Sequence, residues 1–201
     1  MAGFRYFLTD GTRTVKYYYY RYGRKLLRLN YIRQAGESVL REKAAAVDPT
    51  AIVSTDVKKL IDRMIKTMRS HGDLGIAAPQ LGRPLRIITL EITKRHLSYL
   101  QAQYRNVVQR DTVPLQVLIN PQLKVLDNHK VAEYESCSSI HNCMAKVPRY
   151  TTVEVSALDR HGNRINYVAD GWLSRILQHE VDHLDGLLYV DKMLSKTFAK
   201  V

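Results

Sequence analysis

Two histidines four residues apart, with a glutamate beside the first, constrain this chain more than any other feature: His179-Glu180-Val181-Asp182-His183 lies near its C-terminus. On an α-helix, positions i and i+4 sit one above the other on a single face. Two imidazoles can then converge on one ion, with Glu180 close enough to handle a proton from a water held there. The motif therefore demands a helix, and residues 171–184 supply one. They contain no proline, Leu173, Ile176, Leu177 and Leu184 recur at roughly helical spacing, and Gly186 stands where a left-handed C-terminal cap is expected.

The 201 residues fit one ordinary domain with some extra. A net charge of +12 would ordinarily point to nucleic acid or a membrane surface, but most of it lies at the front. Residues 1–36 hold eight Lys or Arg against the single acid Asp10, a net of +7, which leaves +5 for the other 165. A basic, acid-poor N-terminus with interspersed apolar and aromatic residues reads as an organellar transit peptide, so residues 1–36 are taken as leader and 37–201 as the folded domain. The alternative is a basic tail that binds polyanions, with Tyr17, Tyr18, Tyr19, Tyr20 and Tyr22 as stacking surfaces. No apolar stretch approaches the roughly 20 residues of a membrane span, and no specific nucleic-acid partner is expected. Two cysteines, Cys137 and Cys143, are too few for a disulfide scaffold and leave a thiol free to be a ligand.

Val39-Leu40-Arg41 and the Ala-rich stretch to Pro49 read as an extended segment entering the domain. A helix follows, with Ser54, Thr55 and Asp56 offering an N-cap, one apolar stripe (Val57, Leu60, Ile61, Met64, Ile65, Met68), and Gly72 as its end. Residues 85–92, 116–120, 152–158 and 164–168 read as strands, the last two joined by a turn at 159–163. Residues 94–114 are polar, carry a short helical pattern, and read as an insertion between strands. Helix, strands, then a final helix bearing the histidines is an α+β order.

A third ligand must complete the motif. A metzincin would place a histidine where this chain has Tyr189, and no glutamate follows Glu180, which excludes a gluzincin-type ligand as well. The ligand therefore lies upstream, and Cys137, in Glu135-Ser136-Cys137-Ser138-Ser139, is the obvious choice. With Gly75-Ile76-Ala77-Ala78-Pro79-Gln80 before it and Gln178 to His183 after it, the chain resembles peptide deformylase, a family with G-x-G-x-A-A-x-Q, E-G-C-x-S and Q-H-E-x-D-H in this order. Val147-Pro148-Arg149, Asp170-Gly171-Trp172, Arg175-Ile176, Asp191-Lys192-Met193 and Thr197-Phe198 look like its animal mitochondrial branch, so the likeness covers roughly residues 33–200.

The resemblance implies antiparallel sheets around the C-terminal helix and one divalent ion, Fe(II) or Zn(II) with Co(II) as a further candidate, on Cys137, His179 and His183. It implies Glu180 as the general base, and the Gln80 amide and the Ser138 main-chain N–H as donors to the formyl oxygen. Asp182 would partner Arg149 behind the site. The substrate would be an N-formyl-methionyl peptide paired with Leu74, Gly75 and the Ser136 region, in the mitochondrial matrix and near the organellar ribosome. Trp172 and Ile176 are candidates for the methionine pocket, or core. Two positions depart from the pattern: Asp73 replaces the first glycine of the first motif, and Ser136 replaces the glycine before Cys137, where its side chain is expected to crowd the backbone beside the ligand. A catalytically impaired paralogue that binds formyl-Met peptides or the ribosome is the runner-up, and a zinc protease the third reading.

Overall fold

The computed structural model describes residues 31–104 and 106–201. The first helix, α1 (Thr55–His71), begins where expected: the Ser54 side chain accepts the Val57 N–H, and Gly72 closes the helix at φ 75°, a left-handed value that suits glycine. Eight strands follow: β1 (Gly75–Ala77), β2 (Ile87–Ile92), β3 (Val113–Val125), β4 (Lys130–Cys137), β5 (Ile140–Tyr150), β6 (Thr152–Leu158), β7 (Arg164–Asp170) and β8 (Ala199–Lys200). Helix α2 (Lys94–Gln103) occupies the insertion between β2 and β3, and α3 (Gly171–Leu184) carries the histidines.

The strands form two antiparallel sheets, one ordered β1-β2-β3-β6-β7 and the other β4-β5-β8. The larger sheet is covered on both faces, which explains why every residue of β2 but Glu91 is buried and its burial does not alternate. Ile87, Val117 and Ile119 pack with Leu60, Ile61, Met64 and Met68 of α1. Ile88, Leu90 and Leu118 point the other way, into a cluster with Trp172, Ile176, Leu177 and Leu184 of α3. The final helix thus runs through the middle of the domain, as the α+β reading with antiparallel sheets around it anticipates.

Three expectations change. Residues 31–36 belong to the folded domain and not to the leader: Ile32 is buried, Arg33 N–H donates to Gln80 O and Ala35 N–H to Ser139 O. The rest of the proposed leader, with its tyrosine run, lies outside the described residues. Ser38–Leu40 forms a 3-10 turn instead of extended chain, because Leu40 is drawn into full burial. The β4–β5 hairpin, of which only the run before Cys137 looks strand-like in sequence, is a main element: its outer half is polar, and the pattern shows only where Glu133, Glu135, Ala145, Val147 and Arg149 turn inward.

Candidate metal centre

Helix α3 presents His179 and His183 one turn apart, with ring centroids 5.1 Å from each other. Its end is secured just past the motif, where Gly186 takes φ 75° and the Gly186 and Leu187 N–H groups return to the His183 and Asp182 carbonyls. Cys137 arrives from the end of β4. One donor atom from each of Cys137, His179 and His183 lies within 4.8 Å of the other two, and Cys137 Sγ is 3.3 Å from His183 Nε2.

The surroundings fit a divalent cation. A thiolate and two imidazoles form the borderline-soft donor set that zinc and iron take. Burial pushes His183 well below its usual range, so its imidazole stays neutral and available as a ligand. Burial also resists charge on His179, yet the contacts with Cys137 and Glu135 outweigh it and raise this imidazole well above its usual range. A cation held at the centre would take the place of that proton on His179. Glu180 is buried beside the donors, and its Oε2 has no hydrogen-bond partner among the described residues. Burial pushes this carboxyl up to about 8, with His179 opposing and Asp73 and Glu135 reinforcing the shift. A buried carboxyl with an unfilled oxygen is suited to exchanging a proton with a small molecule at the centre.

Gly75 of β1 forms the floor under that carboxyl. A Cβ there would lie 2.6 Å from Glu180 Oε1 and 2.9 Å from its Cγ. Gly75→Ala should displace the whole Glu180 side chain and lower turnover by about 10²-fold, the scale of a mispositioned general base, while leaving the metal content unchanged. An alanine variant with native kcat would show that the carboxyl does not act from this position.

Gln80 is oriented by the backbone: the Ala77 N–H donates to Oε1 at 2.8 Å, so Nε2 must face the centre. There it lies 3.2 Å from Ser139 Oγ and 3.5 Å from Cys137 Sγ. Ser136 is exposed on β4, opposite Met144, and the non-glycine residues with positive φ among those described are Asn120 and Asn142. The crowding expected beside Cys137 therefore does not occur, since an ordinary strand backbone sends that side chain to solvent. Leu74 is half-buried against the α3 cluster, and Trp172 and Ile176 lie within it, the Trp172 ring tilted against Tyr104 with centroids 4.8 Å apart. A cavity of about 420 Å³ opens at the start of α3, lined by Arg149, Tyr150, Gly171 and Arg175 among others, but by none of the three donors and neither Trp172 nor Ile176.

Behind the donors lies a buried ionic chain of which sequence reasoning anticipates one link. Arg149 donates to Asp182 and also grips Glu135 with two hydrogen bonds of 2.9 Å. Glu135 further accepts from Arg175 at 2.6 Å and meets His179 Nδ1 at 2.9 Å, while Lys192 Nζ reaches Asp182 at 2.6 Å. With Nδ1 donating to Glu135, His179 turns its other nitrogen to the centre. Burial opposes charge on Glu135, but Arg149 and then His179 hold its carboxyl well below the usual range. Two spacings signal this role for Glu135: it stands two residues before Cys137 on a strand, hence on the same face, and Arg175 stands four before His179 on a helix. Asp73 is a further residue at the site, half-buried and hydrogen-bonded to Ser138, with its carboxyl pushed up to about 6 by burial against the pull of Ser138.

An α+β domain that brings a strand cysteine, two histidines of one helix and a buried glutamate to one point has the donor set of a mononuclear metallohydrolase. The chain belongs to the polypeptide deformylase family, whose model matches residues 29–199. It is 48% identical over 178 residues to peptide deformylase 1A, chloroplastic/mitochondrial, of Arabidopsis thaliana, covering 89% of this chain and 66% of that protein. It is 38% identical over 172 residues to the mitochondrial peptide deformylase of Homo sapiens, covering 86% and 71%. The plant form is the more similar of the two, and the chain spans about two thirds of its length. Among solved structures, a class I type b peptide deformylase from Acinetobacter baumannii with Met-Ala-Ser bound superposes with a TM-score of 0.71 at 29% identity, covering 81% of this chain and 96% of that one.

Proposed function

We propose that the protein is a metal-dependent deformylase that hydrolyses the N-formyl group from the N-terminal methionine of new polypeptides, yielding formate and a free amine. The observation that carries this reading is the meeting of Cys137, His179 and His183 beside the buried Glu180, one oxygen of which has no partner among the described residues. Cys137, His179 and His183 would hold Fe(II), Zn(II) or Co(II), which when bound polarises a carbonyl and acidifies water. Glu180 takes a proton from the attacking water and later delivers it to the departing amine nitrogen as the C–N bond breaks. Gln80 Nε2 and the Ser138 N–H donate to the formyl oxygen as charge builds on it. Asp182 and Arg149 hold His179 through Glu135.

The substrate backbone adds to exposed strand edges. β1 and β4 are each the outermost strand of their sheet, so Leu74 and Gly75 on one side and Ser136 on the other offer main-chain groups to an extended peptide. Trp172 and Ile176 would form the inner wall that receives the methionine side chain. The organellar relatives and the basic residues 1–30 support action in an organelle, for which we propose the mitochondrial matrix, near the ribosome that supplies formylated chains. The impaired-paralogue reading finds no support.

The test is turnover of formyl-Met peptides by the metal-loaded protein and its loss on chelation. Ser136→Gly should leave kcat/KM within about threefold of native, as for a surface substitution worth under about 0.5 kcal/mol. A large gain in the glycine variant would mean that the serine hinders substrate after all, and no turnover by either protein would end the deformylase reading.

A further inference from the structure

Asp73 and Ser138, 65 residues apart in the chain, meet at the metal centre. The Ser138 hydroxyl lies 2.8 Å from each oxygen of the Asp73 carboxylate, so a small rotation of either side chain leaves the contact in place. Asp73 is anchored from behind. The N–H groups of Gly72 and Asp73 both return to Met68 O at the end of α1, and one residue later Leu74 O accepts the Glu91 N–H of β2. Met68 is fully buried, so the carboxylate stands on a packed helix end rather than on a free loop.

The turn that carries Ser138 needs such an anchor. Between β4 and β5 the pairing jumps from Ser136 opposite Met144 to Cys137 opposite Ile140, and residues 138 and 139 lie outside the ladder. Ala35 and Gln34 hold the turn by its carbonyls, and Gln80 by the Ser139 hydroxyl. None of these restrains the Ser138 side chain, which Asp73 alone engages among the described residues.

We propose that Asp73 is a positioning residue for deformylation: by holding the Ser138 side chain it fixes the peptide plane between Cys137 and Ser138, whose N–H faces the formyl oxygen in the reaction. This rests on the deformylase reading above. A donor aligned in advance stabilises the transition state more than bound substrate, so its misalignment appears in kcat. The tie also gives Asp73, which replaces a family glycine, a role that the glycine could not perform.

The experiment is a double-mutant cycle on the full, metal-loaded chain with a formyl-Met peptide. Asp73→Ala and Ser138→Ala should each lower kcat about tenfold, as expected for a charge-assisted hydrogen bond, with KM within about twofold. The double variant should be no slower than either single one, because both remove the same contact. Asp73→Asn, which keeps an acceptor oxygen, should recover most of the loss. In the metal-free protein, hydrogen exchange at the Ser138 amide should quicken in both alanine variants while α3 is unchanged. Native kcat in Asp73→Ala, losses that multiply in the double variant, a change confined to KM, or unaltered exchange would each overturn the proposal. A native chain without turnover would defeat the deformylase reading instead, and the exchange measurement would still decide whether the tie holds the turn.

Discussion

Glutamine in place of Glu180 should lower kcat on formyl-Met peptides by about 10³-fold, the usual scale for removing a general acid-base group, with one metal per chain retained. The substitution keeps the side chain's shape, which matters because Glu180 occupies the space over Gly75 that a Cβ would need. It removes only the capacity to take and return a proton. The amide should not destabilise the fold, since a buried carboxyl with one oxygen unpartnered is itself an uncompensated group. Affinity for formyl-Met peptide should persist in the variant. Turnover within tenfold of native would remove Glu180 from the proton-transfer role, and loss of the metal would show that its main service is to the ligands.

The second large effect is on stability. Arg149→Met should cost about 3 kcal/mol, because it leaves Glu135 and Asp182 buried with part of their compensation gone. In a domain of this size that is roughly a 10 °C fall in Tm. Arg175 and His179 still serve Glu135, and Lys192 still serves Asp182, which keeps the loss at the low end for a broken buried pair. The pH dependence supplies an independent check. Glu135 titrates well below the usual carboxylate range in the folded protein, so its contribution to stability is present above the unfolded value of about 4.3 and is lost as pH falls through the folded one. Removing Arg149 raises that folded value. The stability difference between native and variant should therefore narrow as the pH drops below about 4, as followed by thermal melts. A gap that stays constant would mean that the cost is packing rather than charge.

Parts of the molecule can be read from local spacing. The bounds of α3, the cap and stripe of α1, and strand β6 follow from period and punctuation, since each depends on neighbours a few residues away. The helix α2 within the insertion is equally local. The β4–β5 hairpin is harder to read, because its inward positions hold Glu133, Glu135 and Arg149, charged residues that an apolar pattern assigns to solvent. Their burial is possible only because each finds a partner: Glu135 meets Arg149 and, from a different element, Arg175, while Glu133 accepts from Asn106 and the Tyr134 N–H. Asp73 stands out in the sequence only as a departure from a motif, and nothing in its neighbourhood names Ser138 as its partner.

By itself, the sequence determined the ligand types, the helix that pairs two of them, and the carboxylate one residue from the first, because i to i+4 geometry is set by the backbone alone. Only the tertiary structure decided that Cys137 stands opposite that helix, that Glu135 links His179 to Arg149, and that residues 31–36 belong to the folded domain. Those contacts join residues that can be a hundred or more positions apart in the chain. They exist because antiparallel pairing and the burial of α3 between two sheets bring distant strands to one point.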